Sequence, residues 1–181
     1  MFKNIKVNLR RYIGMIKNKV SLKIIFNLIF TQGIWAIAVY RFGSWCNKLN
    51  LPVISFILKF IYFFLNKIVE IIAGISISSN ARIGKGLYIG HFGGIFINEG
   101  ATVGENCSLG QGVTIGTLGL GKRGSPTLGN NVFIGAGAKI LGKIKIGNNV
   151  RIGANAVVIK DAPDNATVIG VPGRIVRINH G

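Results

Sequence analysis

Acidic residues are scarce in this chain of 181: five Asp and Glu stand against 22 Lys and Arg, a formal net charge of +17 at pH 7. Cysteine and histidine are rarer still, with two of each. Cys46 and Cys107 lie far apart without metal-type spacing, which leaves them as ordinary thiols and points to a reducing compartment. His91 and His180 neighbour neither a cysteine nor a carboxylate cluster, so no metal site is expected. A clean apolar run of membrane-spanning length is also missing. Ile24 to Tyr40 carries no charge, but it is short and broken by Asn27, Thr31, Gln32 and Gly33. Ala36 and Ala38 imitate a signal cleavage site, yet the basic stretch ahead of them is too long for a secretory signal. The segment is expected to be retained, with a single-span anchor left open.

What is present in quantity is apolar surface and glycine. Apolar residues make up 49%, enough for a core and contrary to global disorder. Glycine is costly inside helices and ordinary strands, so 26 of them imply many sharp corners. Residues 1–80 hold eleven Lys and Arg with one acid, and the remainder hold eleven with four. Such a surplus attracts anionic lipid, nucleic acid or phosphorylated ligands and says nothing about fold. No nucleic-acid motif or aromatic stacking platform accompanies it, and nucleic acid is not an expected partner.

Two halves follow different rules. Residues 1–74 read as helical, with seven cations and no acid from Lys3 to Lys23. Leu51 to Gly74 suits an amphipathic helix: Lys59, Lys67 and Glu70 share one side, while Phe56, Ile57, Phe60, Phe64, Ile68 and Ile71 cover the rest. It either packs on its own protein or makes a peripheral membrane contact.

From residue 75 to 178 an aliphatic residue recurs every sixth position. The series runs Ile77, Ile83, Ile89; then Ile97, Val103, Leu109, Ile115; then Leu128, Ile134, Ile140, Ile146, Ile152, Val158. A period of six fits neither helix nor hairpin and predicts a solenoid of short parallel strands with tight corners. Gly84, Gly90, Gly104, Gly110, Gly116, Gly129, Gly135, Gly147 and Gly153 follow the aliphatic position, at the corner, where glycine is favoured if φ must be positive. The rhythm breaks twice. A two-residue slip falls at His91-Phe92-Gly93-Gly94, and an inserted loop spans 117–127. Insertions in solenoids become loops on one face and usually build the binding surface.

Four segments carry a family resemblance: Gly90-His91-Phe92-Gly93-Gly94-Ile95, Gln111-Gly112-Val113-Thr114-Ile115-Gly116, Ile134-Gly135-Ala136-Gly137-Ala138-Lys139-Ile140-Leu141-Gly142, and Val168-Ile169-Gly170-Val171-Pro172-Gly173-Arg174-Ile175-Val176. With them residues 75–178 resemble the hexapeptide-repeat acyltransferases, in the branch of the serine acetyltransferases and their polysaccharide-modifying relatives. The resemblance implies a mainly β chain: a left-handed parallel β-helix behind an α-helical N-terminal region. It implies acetyl-CoA as co-substrate, no metal, and a homotrimer with the coenzyme in a groove between two copies. His91 matches the family's catalytic base, and Glu99 a family glutamate able to orient it or touch an acceptor. Gly119, Gly121, Ala136 and Ala138 match the border of the pantetheine arm. Arg151, Lys122 and Arg174 are candidate partners of the nucleotide phosphates. Surface-charge roles for these cations and for Glu99, and a structural role for His91, are the alternatives.

The chain departs from the serine acetyltransferases at three points. Gly90 stands where they carry an acid before the catalytic histidine, Ser76 where they carry another fifteen residues upstream, and Arg123-Gly124-Ser125-Pro126 replaces their Arg-His-Pro run. A free amino acid needs a carboxylate for its ammonium. These departures, with the basic and apolar N-terminal half, favour a glycan hydroxyl on a cell-surface polysaccharide or its lipid-linked precursor. Serine is the alternative acceptor, and a non-catalytic scaffold a third reading. The expected location is the cytoplasm, with the inner face of its membrane left open.

Overall fold

Six-residue spacing of aliphatic side chains produces a three-sided coil. The computed structural model describes residues 2–15, 26, 28, 30–119 and 124–178. Helices α1 (Phe2–Met15), α2 (Gln32–Cys46) and α3 (Pro52–Ala73) come first. The first face of the coil holds β1 (Ile75–Ile77), β4 (Ile95–Ile97), β7 (Thr114–Gly116), β10 (Lys139–Leu141) and β13 (Val157–Val158). The second holds β2 (Arg82–Ile83), β5 (Thr102–Val103), β8 (Thr127–Leu128) and β11 (Lys145–Ile146). The third holds β3 (Tyr88–Ile89), β6 (Ser108–Leu109), β9 (Phe133–Ile134), β12 (Arg151–Ile152), β14 (Ala166–Ile169) and β15 (Arg174–Ile178). Neighbours within each face pair in parallel, except β15, which turns back antiparallel on β14. The result is the expected left-handed parallel β-helix with a helical N-terminal region.

All thirteen aliphatic residues of the six-residue series are buried. They stack in columns, such as Ile77, Ile97, Ile115, Ile140 and Val158 behind the first face. Cys107 is another fully buried member of the wall. A regular coil takes eighteen residues, as from Ile97 to Ile115 and from Ile140 to Val158. Ile77 to Ile97 takes twenty and Ile115 to Ile140 twenty-five, yet both pairs stay in register. The extra residues have left the wall.

At the corners after the aliphatic position φ need not be positive. None of the nine glycines following the aliphatic position has a positive φ. A Cβ on Gly84 would stand 2.7 Å from the carbonyl carbon of Gly104, and one on Gly135 2.6 Å from the nitrogen of Ala154. At seven of the nine, all but Gly90 and Gly116, glycine is required by the close approach of stacked coils. Positive φ falls at later corner positions: Gly112, Gly137 and Asn155 between third and first faces, and Gly86, Asn106, Asn131, Asn149 and Asn165 between second and third, the last three at 57°, 57° and 61°. Asparagine tolerates this region because its short side chain bonds locally. Here the amides also form a ladder, with Asn131 Nδ2 donating to Asn149 Oδ1 (3.1 Å) and Asn149 Nδ2 to Asn165 Oδ1 (2.9 Å).

A solenoid must cover its open end, where strands expose unpaired backbone groups. Side chains of α1 and α2 do this for β2 and β3. The Tyr40 hydroxyl donates to Ala81 O (2.8 Å) and accepts from Ile83 N (3.1 Å). The Tyr12 hydroxyl repeats this with Ile89 O and Ile89 N, both at 2.9 Å. Asn8 bridges Leu87 O and Gly86 N, while the Arg41 guanidinium donates to the carbonyls of Ile83 and Gly84. Burial lifts the Tyr12 hydroxyl far above its ordinary pKa, so it stays a donor. Tyr40→Phe strands one buried carbonyl and one buried N–H, and is expected to cost about 1–3 kcal/mol of unfolding free energy. Denaturant titration checks this, and an unchanged midpoint would contradict it.

Candidate active site

The two extra residues of the first coil are expelled at the edge between third and first faces. Ile89 is buried at the end of β3 and Ile95 at the start of β4, while His91 and Phe92 between them are exposed. The bulge is pinned on both sides. Gly93 N donates to Ala73 O (2.8 Å) and Ile95 N to Gly74 O (3.1 Å), tying it to the end of α3. Gly112 N donates to Gly93 O (2.8 Å), tying it to the next coil. Gly93 and Gly94 adopt φ of +98° and +66°, a conformation a side chain would strain. Beside His91 lies a cavity of about 230 Å³, lined by Phe30, Thr31, Gln32, Gly33, Ile89 and Phe92. Gly33 lets α2 approach this closely, because a Cβ there would sit 2.8 Å from Ile89 O.

Below His91 the same edge carries Gln111-Gly112, Ala136-Gly137 and Ala154-Asn155 in successive coils, four of the six glycine or alanine. Ala136 is therefore on the histidine edge. Ala138 is not available there, because its methyl is fully buried inside the coil and its N–H and carbonyl bond Gly135 and Thr114. Arg151 lies exposed on the neighbouring third face, its guanidinium 5.4 Å from the centroid of the Phe133 ring. Arg174 is exposed on β15 of the same face.

Glu99 and Gly119 lie elsewhere. Both follow strands of the first face and lead to the second, so they share a different edge of the triangle from His91. Ser125 Oγ donates to Asn98 Oδ1 (2.8 Å), fastening the end of the inserted loop beside Glu99. Gly121 and Lys122 lie outside the described residues. Within one chain, Glu99 and His91 line separate cavities.

Sequence reasoning missed Glu70. Its spacing places it on the polar side of a helix, and in the fold it lines the groove of about 340 Å³ that also holds Glu99 and Ser76. Ser76 Oγ donates to Glu70 Oε1 (2.7 Å), Asn66 Nδ2 donates to the same oxygen (2.9 Å), and Lys67 Nζ meets Oε2 (2.6 Å). A carboxylate from α3 thus stands beside the serine that replaces the family's acid. Partial burial opposes its ionisation, yet the bonds from Lys67, Ser76 and Asn66 outweigh this and hold its carboxyl below the ordinary value. The stabilisation is full above that ordinary value and is lost as pH falls through the lower folded one. Glu70→Gln is therefore expected to lower the melting temperature at neutral pH, with the gap to the parent closing in strong acid. A pH-independent gap would contradict the assignment.

Known proteins resemble this chain along most of its length. The family profile described as bacterial transferase hexapeptide (six repeats) matches residues 125–160. A serine acetyltransferase of Synechococcus elongatus is 44% identical over 151 residues, 82% of this chain and 59% of that protein. The chain covers less than two thirds of the length of such curated relatives. Serine acetyltransferase of Brucella abortus, solved with coenzyme A, superimposes with a TM-score of 0.82 at 31% identity, over 99% of this chain and 68% of that one. The Neisseria gonorrhoeae enzyme, solved with serine, does so with a TM-score of 0.79 at 32% identity, over 97% and 69%. These likenesses overturn the expectation of a polysaccharide or lipid-linked acceptor, since the matched proteins are serine acetyltransferases. Serine at position 76 does not leave the groove without a carboxylate, since Glu70 stands beside it.

Proposed function

The chain belongs to the serine acetyltransferase family of hexapeptide-repeat proteins, and on that basis we propose that it transfers an acetyl group from acetyl-CoA to the hydroxyl of serine. The observation that carries the reading is the pinned bulge that holds His91 outside the coil at the head of an edge of small residues. Acetyl-CoA supplies an activated acyl thioester. His91 accepts the hydroxyl proton as the serine oxygen attacks the thioester carbonyl, and returns a proton to the departing thiolate. A base so placed contributes about 10²–10⁴-fold.

The remaining residues take roles from their positions. The edge of Gly112, Ala136 and Gly137 leaves room along the coil for a narrow pantetheine arm, and Arg151 offers a cation on the face beside it. Glu70 and Glu99 face one groove and can meet the serine ammonium, a charge that must be paired when water is excluded. Since that groove and the His91 edge are separated within one chain, the reading places the histidine edge of one copy against the loop edge of another, in a homotrimer.

The test uses the full chain with acetyl-CoA and L-serine, following release of the CoA thiol. Serine-dependent release is expected, and His91→Ala should reduce it by about 100-fold or more without changing the melting temperature. Release no faster than without serine, or an unaffected His91→Ala, would contradict the proposal.

A further inference from the structure

Helix α3 is turned inside out relative to an ordinary surface helix. Its inward stripe is largely polar or small: Ser55, Val69 and Ala73 are buried, and Tyr62, Asn66 and Glu70 half-buried. Its large apolar side chains point away from the protein. Ile71 is 82% exposed, Phe56 74% and Val53 72%, and Phe60, Phe64 and Ile68 are all more than half exposed. At 100° per residue, the exposed apolar positions from Val53 to Ile72 sweep an arc of about 200°, along a helix of about 33 Å. Soluble surfaces rarely leave a continuous apolar patch of this size uncovered.

The charge balance selects what covers it. Residues 1–80 carry eleven cations and one acid, and that acid, Glu70, already meets Lys67. Lys59 borders the arc; Lys67 starts inside it and reaches out to Glu70, as long basic side chains do at an apolar–water boundary. A second copy seated face to face on α3 would set the eleven cations and single acid of residues 1–80 against the same set. An anionic lipid surface offers the opposite charge and an apolar layer to receive the phenylalanines. No described helix is long and apolar enough to cross a membrane. We propose that α3 lies in the plane of an anionic bilayer surface, its outward apolar arc sunk among the acyl chains, and seats the protein on the membrane. The bonds from the His91 bulge to Ala73 and Gly74 then place the catalytic edge next to the seated end of α3. Membrane seating is independent of the acceptor.

The full chain is mixed with vesicles of phosphatidylcholine alone or with phosphatidylglycerol, at low salt, and sedimented. Binding is expected to the anionic vesicles, about tenfold or more tighter than to the neutral ones. The triple variant Phe56→Ser, Phe60→Ser, Phe64→Ser should lose about tenfold or more of that binding, with an unchanged melting temperature and serine-dependent thiol release. Phe60→Trp keeps the face apolar, and its fluorescence should shift to the blue and be quenched by brominated lipid. Failure of the parent to bind anionic vesicles, or an unquenched Phe60→Trp, overturns the proposal. So does a fall in the mass of the soluble particle in the triple variant, which would mean that another copy covers the face.

Discussion

A coil of this kind has no slack in its wall. Each inward aliphatic side chain must meet its equivalents in the coils on either side, so an additional residue has nowhere to go but outward, at a corner. Pairing from Ile77 through Ile97, Ile115 and Ile140 to Val158 stays in register although successive coils differ in length. The bulge displaying His91 and the loop beginning beyond Gly116 both follow from that constraint. Rigidity of the stack converts two extra residues into a fixed, exposed imidazole.

The same constraint explains the helices. A stack of parallel strands cannot finish itself, and the first coil would leave the backbone groups of β2 and β3 bare. Tyr12, Tyr40, Asn8 and Arg41 cover them, anchoring α1 and α2 across the end of the solenoid. That seating brings Gly33 against Ile89 and closes one side of the cavity beside His91. The helix following α2 is then held by its C-terminal carbonyls at the bulge and by Ser76 at Glu70. Stability and site geometry share these contacts.

Much of this was legible in the residues. The period of six fixed which side chains point inward, because only apolar groups tolerate a dry column, and the two phase breaks marked where the chain leaves the wall. Three things were not legible, each for a physical reason. Glycine after the aliphatic position reads as a turn signal, whereas its lack of a Cβ mostly lets coils approach, and positive φ falls at later corner positions held by Asn and Gly. Ala138 reads as part of a small-residue motif, but alternation along the coil turns its methyl inward. Glu70 lies six residues and one element from Ser76, so spacing along the chain gave no hint that they touch.

The central claim is that the bulge at His91 and the small-residue edge below it together form the acyl-transfer site. A crystal structure of the full chain with coenzyme A tests it most directly. The account predicts the pantetheine arm along Gly112, Ala136 and Gly137, with its sulfur beside the His91 imidazole and another copy of the chain closing the groove. Coenzyme bound away from that edge, or a histidine edge sealed by protein, would contradict it.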